Sequence, residues 1–415
     1  MNMYLMLLEM KRVIKSRMTW ILLLVAIALS VIISYQAIAG AQHTDIGKNG
    51  QVTKVTGMEA IRANKKQMQP YEGTITEGKL KNALQIFKQY YGSDHKNMSK
   101  VELSALFYAK ITPIDYMLDM IYGTYQGGED EYEILSKMKS DQIDVFYRQR
   151  TQTLNNQIEA QYPGNQNILH EVQKLNSKVK EPFFLNSGYV SDNTINLCIL
   201  IFLLVLLCAM IVSPVFSADY QNGSDAILRC TKNGHMKLAV AKLCSAILIL
   251  LAMFAVCILT FVLTVNSAYG WSSLQSSIQA TSVLSFVPLT MGQEQGLTVL
   301  AGLLTLLAAA CFVLFISAKC QHPTTALMIA IAFCILPAIL HSVWHGNVSN
   351  FLTCVLPTGG AGISHNFFTQ LNQTTFIHMG SLDIWAPYLT LGAAIIEIPL
   401  FFILSAHAYC KHQAT

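Results

Sequence analysis

The amino-acid sequence predicts an all-α integral membrane protein with six transmembrane helices. Hydrophobic residues make up 53% of the 415-residue chain and charged residues only 13%, whereas a soluble domain has about 25% charged residues. Six apolar runs are each long enough to cross a bilayer, which takes about 20 helical residues. The one long polar block, 41–192, has apolar residues at helical spacing. The six runs are 19–39, 195–215, 243–265, 296–318, 324–343 and 384–408.

Residues 1–17 precede the first span and predict an amphipathic helix. Leu5 and Leu8 are accompanied by Lys11, Arg12 and Lys15 in a segment that is too charged to span a bilayer, a composition typical of helices that lie on a membrane surface. The first span is assigned to 18–40. Its apolar run exceeds the 7–15 residues of a signal-peptide core, so we expect it to remain uncleaved.

The polar block 41–192 predicts a helical domain inserted between the first and second spans. It holds 18 of the 28 Lys and Arg residues and 18 of the 24 Asp and Glu residues, so it is neutral overall. Leu80, Leu84, Phe87 and Tyr91 recur at helical spacing. Glycines in 47–57 and elsewhere predict breaks. We expect four or five helices here.

The distribution of basic residues predicts the orientation of the chain. The segment 193–415 contains spans two to six, and its short loops 266–295 and 344–383 have no Lys or Arg. The basic residues lie instead in 1–18, 217–242, 318–323 and 409–415. Because cytoplasmic loops carry the excess of Lys and Arg, both termini are expected in the cytoplasm and 41–192 outside. The chain is thus expected to be a multi-pass protein with its basic loops on the cytoplasmic side of the membrane. The small scattered excess of basic charge does not favour nucleic-acid binding.

The polar interval 217–242 between spans two and three predicts a short helical hairpin. Asn222-Gly223 is a turn signal, and Ser224 is expected as the N-cap of a helix with Asp225 in its first turn. Ile227 and Leu228 give that helix a small apolar face. Two interpretations remain open from these residues: a surface that docks onto a partner, and an ordinary loop.

The layout and this hairpin together resemble the permease subunits of ABC-2-type transporters, particularly those of Gram-positive bacteria. The hairpin of that family commonly reads Phe-x-x-Glu-Tyr-x-x-Gly and is followed by a Lys that opens span three. Phe216, Asp219, Tyr220, Gly223 and Lys242 stand at the matching positions. Asp219 replaces the usual Glu and keeps its charge. The motif covers about 27 residues, while the topology covers the whole chain.

The resemblance implies that this chain forms the membrane part of a transporter and that a separate chain binds ATP. Residues 225–231 would be a coupling helix seated on a cytoplasmic ABC ATPase, and residues 1–17 the elbow helix along the inner leaflet. ATP and Mg²⁺ would bind the partner ATPase, because this chain has no GxxxxGK[ST] phosphate loop and no cofactor is expected in it. A second permease chain, identical or related, and membrane lipids are the other expected partners. The residues implied in ATPase coupling are Asp219, Tyr220, Gly223, Asp225, Ile227, Leu228 and Arg229.

Two further groups are candidate sites. Glu397 is the one acid deep in a predicted span. It is either a residue of the translocation path or a neutral carboxyl hydrogen-bonded to a neighbouring helix. His341 and His345 are spaced i, i+4 as in some metal sites, with His365 and His378 distant in sequence. Interfacial polar residues are the preferred interpretation, so no metal is expected. The outer segments 273–289 and 356–368 are possible short helices in the outer leaflet.

These observations favour an ATP-driven exporter over two other classes. Spans rich in Leu, Ile, Val, Ala and Phe suit a hydrophobic or amphipathic passenger, such as an antimicrobial peptide, a lipid or a drug. The alternative is a membrane sensor whose outer domain binds a ligand and whose hairpin signals to a cytoplasmic partner. An enzyme is disfavoured, because the chain has no HExxH or GxSxG motif and no paired carboxylates.

Overall fold

The helices of the chain include six that are long and apolar enough to cross a membrane. A computed structural model describes residues 3–46, 52–92, 98–126, 130–189, 191–231, 234–344, 346–363, 365–380 and 382–412. Within these residues the candidate spans confirm the predicted all-α class and the number of transmembrane helices. They are Arg17–Ala39, Ser191–Gln221, Met236–Tyr269, Met291–Lys319, Pro323–Val343 and Ala386–Lys411.

The chain begins with two helices separated by a single residue. Helix α1 (Met3–Lys15) carries Arg12 and Lys15 in its last turn, where positive charge is favourable beside the helix carboxyl end. Helix α2 (Arg17–Ala39) is mostly apolar. Its Ser30 hydroxyl donates to the Cys257 carbonyl at 2.6 Å. A helix at the amino-terminal end and a first candidate span are thus present as expected, while the elbow role of α1 stays a prediction.

The chain folds into two compact units. The span unit comprises Met1–Ser34, Thr194–Leu263 and Leu297–Thr415, and the inserted unit comprises Tyr35–Asn193 and Thr264–Gly296. The inserted unit is therefore larger than the sequence suggests, because the loop predicted at 266–295 belongs to it.

The inserted unit is mostly helical and contains two small antiparallel sheets. Strands β1 (Gln42–Ile46) and β2 (Val52–Thr56) pair in register from Gln42 opposite Thr56 to Ile46 opposite Val52. The sequence predicted breaks here, but β-branched residues such as Thr53, Val55 and Thr56 favour a strand. The remaining elements are α3 (Gly57–Met68), β3 (Gly73–Thr74), α4 (Glu77–Gly92), α5 (Lys100–Lys110), α6 (Asp115–Tyr125), α7 (Glu131–Lys137), α8 (Phe146–Gln161), α9 (Gln166–Asn176) and β4 (Phe184–Leu185), which pairs with β3.

The core of the inserted unit forms around α4. Leu80, Leu84 and Phe87 are buried on one face of this helix, as their spacing predicts, whereas Tyr91 is 41% exposed. The described residues of this unit hold seven helices, α3 to α9, and not four or five. The extra helices are short, and the sequence pattern of 7–12 residues is too brief to separate them from loops.

The second segment of the inserted unit, 264–296, packs into the same core. Ala280 and Val283 join the buried cluster that contains the α4 residues. Between residues 270 and 290 the backbone forms short 3-10 turns, Trp271–Gln275 and Ile278–Ala280. The segment 273–289 is thus not a helix lying in a leaflet; it is part of the folded core.

Arg150 of α8 ties these two segments of the inserted unit together. Its side chain is fully buried. The guanidinium donates from Nε to the Val283 carbonyl at 2.7 Å and from Nη2 to the Ser285 carbonyl at 2.6 Å. Asn176 Oδ1 accepts from Nη1 at 2.6 Å, and Glu181 lies 3.6 Å from the same nitrogen. Burial lowers the pKa of Arg150 to about 10, although Glu181 opposes the shift.

The remaining elements lie mainly in the span unit. Helix α10 (Ser191–Val212) leads through Ser213 into α11 (Pro214–Gln221), and the last span, α18, contains Pro399. The segment 356–368 is mostly turn, so it is not the short helix considered from sequence. The other elements are α12 (Ser224–Arg229), α13 (Met236–Tyr269), α14 (Met291–Lys319), α15 (Pro323–Val343), α16 (Asn347–Val355), α17 (Phe367–Asn372), β5 (Phe376–Met379), β6 (Leu382–Trp385) and α18 (Ala386–Lys411).

The Arg150→Met variant should destabilise the inserted unit, because two backbone carbonyls and Glu181 lose their buried cationic partner. Removing one member of such a buried charged network costs about 3–5 kcal/mol. Hydrogen–deuterium exchange of the full-length protein should show faster exchange in 264–296 and in α8. Arg148→Met is the matched control, because Arg148 is exposed on the same helix. Equal exchange in the two variants would contradict the assignment.

Candidate functional site at the 217–242 hairpin

The hairpin begins where the second span bends. Pro214 lacks an N–H and starts α11 directly after Ser213. Ser317 of α14 stabilises this junction: its hydroxyl accepts the N–H groups of Phe216 and Ser217 at 3.1 and 3.2 Å and donates to the Ser213 carbonyl at 2.6 Å. The backbone groups at the break are therefore satisfied by a side chain of a neighbouring span.

Gly223 makes the turn between α11 and α12. Its φ of 64° is left-handed, a conformation that glycine adopts without steric cost. The sequence placed the N-cap of the short helix at Ser224, which is wrong: Gly223 is the N-cap and Ser224 is already helical. The Ser224 hydroxyl lies 3.2 Å from Asp219 Oδ1. This hydroxyl donates a hydrogen bond to the Asp219 carboxylate and does not cap α12.

Asp219 is the centre of a buried ionic group that we name the Asp219 cluster: Asp219, Arg12, Ser224 and Lys242. The Asp219 side chain is 1% exposed. Its carboxylate accepts hydrogen bonds from the Arg12 guanidinium of α1 and from the Lys242 ammonium of α13. Because a buried carboxylate is costly unless paired, these contacts hold the elbow helix, the end of span two and the start of span three together.

Lys242 is as deeply buried as its partner. It is 1% exposed. Besides Asp219, its ammonium group lies 5.6 Å from the centre of the Phe216 ring and 5.8 Å from that of Tyr409. Aromatic faces attract a cation at this range. The sequence motif included Lys242 but gave no reason for it; the structure supplies one.

Arg229 forms a second group, the Arg229 cluster, with Asp225, Tyr409 and His412. The guanidinium donates to the backbone carbonyls of Tyr409 and His412 at the end of α18, and it lies 4.7 Å over the Tyr409 ring. Asp225 Oδ2 is 3.8 Å from Arg229 Nε. These contacts cap the carboxyl end of the sixth span with positive charge, which is favourable there.

Tyr220 links the two clusters. Its hydroxyl donates to the Ala318 carbonyl at 3.3 Å, and its ring stacks on that of His412 with centroids 3.9 Å apart. Burial, and next the nearby Arg229 charge, lower the pKa of His412 below its usual value. A neutral His412 can stack without adding a second positive charge beside Arg229.

The structure divides the seven residues expected to contact an ATPase into two sets. Asp219, Tyr220, Asp225 and Arg229 turn inward and bind neighbouring helices of the same chain. Gly223 and Ile227 are exposed, and Leu228 is half-buried. Ile227 is 74% exposed, an unusual fraction for a large apolar side chain on a short ordered helix. The outward face of α12 is therefore Ala226, Ile227 and Cys230.

Sequence reasoning missed the inward partners of the hairpin. Arg12 reads as part of a membrane-surface helix, and Tyr409 and His412 are 180 or more residues away from Arg229. The one signal available was Lys242, a cation at the boundary between the polar interval and the third apolar run. Such a residue requires a buried acid, and Asp219 is the nearest acid without a pair on its own helix.

Glu397 lies on α18 two residues before Pro399. It is half-buried, and its neighbours Ile395 and Ile396 are exposed. Among the residues that the structure describes, its carboxyl has no hydrogen bond or ion pair. Its place on a span is thus known, while its role remains a prediction.

The histidines do not form a metal centre in the described part of the chain. His345 lies outside the described residues. His378 pairs with Asp383 at 2.6 Å. His341 and His365 stack with ring centroids 4.5 Å apart, an arrangement that does not direct two ring nitrogens at one ion.

His365 is instead a buried neutral histidine. It is 2% exposed. Gln370 Oε1 accepts from Thr390 at 2.7 Å, which places the Gln370 amide nitrogen 3.2 Å from His365 Nε2. Nε2 is therefore an acceptor and Nδ1 carries the proton, with no partner among the described residues. Burial, and next the neighbouring His341, lower the pKa of His365 to about 4.

The site and the fold define a multi-pass helical membrane protein whose inter-span hairpin is anchored to four of its helices. The family model described as ABC-2 family transporter protein matches residues 3–410. The chain belongs to this family, so it is a membrane subunit of the transport class, and the predicted ABC-2 permease resemblance is confirmed. Searches of curated proteins and of solved structures found no match.

Replacing Asp219 should destabilise the span unit more than replacing Lys242. Asp219→Asn leaves the buried Lys242 without its paired anion and leaves Arg12 with Glu9 alone, 3.6 Å away, whereas Lys242→Met leaves Asp219 paired with Arg12. Breaking a buried pair costs about 3–5 kcal/mol. Thermal unfolding of the purified protein in detergent measures the effect. Lys237→Gln, an exposed cation near the start of α13, is the control and should unfold like wild type. If Lys242→Met lowered the unfolding temperature more than Asp219→Asn, the assignment of the Asp219 cluster would be contradicted.

Acidification should destabilise the protein through His365. Its folded pKa of about 4 lies below the unfolded value of about 6.5. The neutral form is therefore favoured by folding, and stability is retained above pH 6.5 and lost as the pH falls towards 4. His365→Gln should flatten the unfolding temperature across this range. His170→Gln, which replaces an exposed histidine of α9, should leave the wild-type profile. An unchanged slope in His365→Gln would refute the prediction.

Proposed function

We propose that this chain is the permease subunit of an ATP-driven exporter and that the 217–242 hairpin docks onto a separate ABC ATPase. The observation that carries the proposal is the two-sided construction of α12. Its polar side chains are fixed to α18 and its neighbours, while Ile227 projects outward. A force applied at Ile227 reaches the spans through ionic contacts and not through a flexible loop.

The ABC-2 family implies ABC ATPase partners in general, and the chain itself has no phosphate-loop motif. ATP and Mg²⁺ belong on the partner. The proposed orientation places the hairpin and both termini in the cytoplasm and residues 41–192 outside a bacterial plasma membrane, of the Gram-positive kind. Its support is the distribution of Lys and Arg among the loops.

A second permease chain is proposed beside the first. Of the most apolar stretch of α15 and of α18, only 22% is buried within this chain. The buried fraction of the corresponding stretch is 61% for α10–α11 and for α14. Large side chains such as Met328, Ile339 and Ile403 remain exposed on them. These faces suit a second permease or surrounding lipid. The apolar walls support an amphipathic or hydrophobic passenger, such as an antimicrobial peptide, a lipid or a drug.

Ile227→Asp should abolish recovery of the ATPase in a pull-down of the tagged protein from mild detergent. A charge on the outward face of α12 would lose the apolar contact without disturbing the inward ion pairs. We expect at least a tenfold loss of the ATPase band, with an unchanged unfolding temperature. Ile363→Asp is the control, because Ile363 is also exposed and lies between spans five and six. Recovery of a kinase or regulator and of no ATPase would favour the sensor instead.

Glu397→Gln tests whether α18 lines the path. The variant should insert normally, since Gln keeps the shape of the side chain. If Glu397 faces the passenger, transport of a hydrophobic dye by the reconstituted complex should fall severalfold. Glu59→Gln, an exposed acid of α3, is the control. Unchanged transport would remove Glu397 from the path, and transport of small hydrophilic solutes alone would overturn the passenger class.

A further inference from the structure

The inserted unit contains a polar cavity of about 420 Å³ between the end of α6 and one face of α8. This volume lies within the range of about 300–1,000 Å³ found for small-molecule sites. Thr124 and Tyr125 contribute from the last turn of α6. Nothing in the transport machinery described above uses these residues.

The sequence of α8 builds one wall of the cavity from neutral side chains. Gln149, Thr153, Asn156 and Gln157 follow at spacings of i, i+4, i+7 and i+8, so they share one helical face. Leu154 and Ile158 are buried on the other side. Surface helices commonly carry Lys and Glu on their solvent face, but the residues that line this cavity include no acid and no base.

The floor of the cavity holds an unsatisfied hydroxyl. Thr124 is fully buried, and its Oγ1 has no hydrogen-bond partner among the described residues. The Thr153 hydroxyl donates to the Thr124 carbonyl at 2.7 Å, which fixes the two helices at this point.

Tyr125 completes the wall with an aromatic ring. Its hydroxyl donates to the Gln142 carbonyl, so the ring is held in place. The described lining residues disfavour two ligand classes. A charged ligand would find no counterion among them, and an apolar ligand would cover amide and hydroxyl groups without satisfying them.

We propose that this cavity binds a neutral saccharide. Each sugar hydroxyl both donates and accepts a hydrogen bond, and the Asn156 and Gln157 amides offer a carbonyl acceptor beside an NH₂ donor. The ring of Tyr125 provides a flat face for the apolar side of a sugar ring. The same chemistry serves a free oligosaccharide and the sugar headgroup of a glycolipid. The proposal does not depend on transport or on ATPase docking.

Saturation-transfer NMR on the full-length protein in phosphatidylglycerol nanodiscs tests the proposal. Maltotriose and chitotriose are the free saccharide probes, and tetraglycine is the neutral peptide probe. A second set of nanodiscs contains diglucosyl-diacylglycerol. Saturation transfer to a trisaccharide identifies a site for soluble sugars. If the trisaccharide signal is weaker in the nanodiscs that contain the glycolipid than in those of phosphatidylglycerol alone, the site binds the sugar headgroup of a lipid.

Two variants connect binding to the cavity. The double variant N156A/Q157A should weaken saccharide binding at least tenfold, because both exposed amides face the ligand. Gln152→Ala is the matched control, since Gln152 is an exposed amide of α8 that does not line the cavity. The unfolding temperature of both variants should equal that of wild type. Absence of binding to every saccharide probe, equal binding by the double variant, or binding of tetraglycine alone would each overturn the proposal.

Discussion

The buried carboxylate of Asp219 is the constraint on which the site depends. A carboxylate removed from water needs full compensation, and this one receives it from cations on two different helices. The elbow helix and the start of span three therefore have fixed positions relative to the hairpin. A Glu at this position would keep the negative charge and place the carboxylate one methylene farther from the backbone.

The hairpin combines two surfaces that have opposite requirements. The inward surface is ionic and satisfied within the chain, and the outward surface is small and apolar. Such a division explains how six residues of α12 can be ordered without a hydrophobic core of their own. Most helical stability in proteins comes from tertiary packing, and here much of that packing is provided by Arg229 over Tyr409. An ordinary loop would not need these contacts.

The sequence predicts the membrane architecture well and the site only in outline. Span length and apolar composition are local properties, so the six spans and α1 follow directly from the residues. The partners of Arg229 do not, because backbone carbonyls 180 residues away carry no sequence signal. Arg150 was missed for the same reason, since carbonyls at Val283 and Ser285 accept from it. The β1–β2 hairpin was not predicted because the glycines around it favour breaks, whereas β-branched residues such as Thr53, Val55 and Thr56 favour a strand.

The anchoring of Arg229 has a consequence for biosynthesis. Tyr409 and His412 are translated long after the hairpin, and they supply the carbonyls that hold it. Until the last span has been inserted, Arg229 of α12 lacks the two carbonyls to which it donates. A chain truncated before Tyr409 would thus keep the Asp219 contacts of the hairpin and lose those of Arg229. Insertion of the last span is therefore the final step that fixes α12.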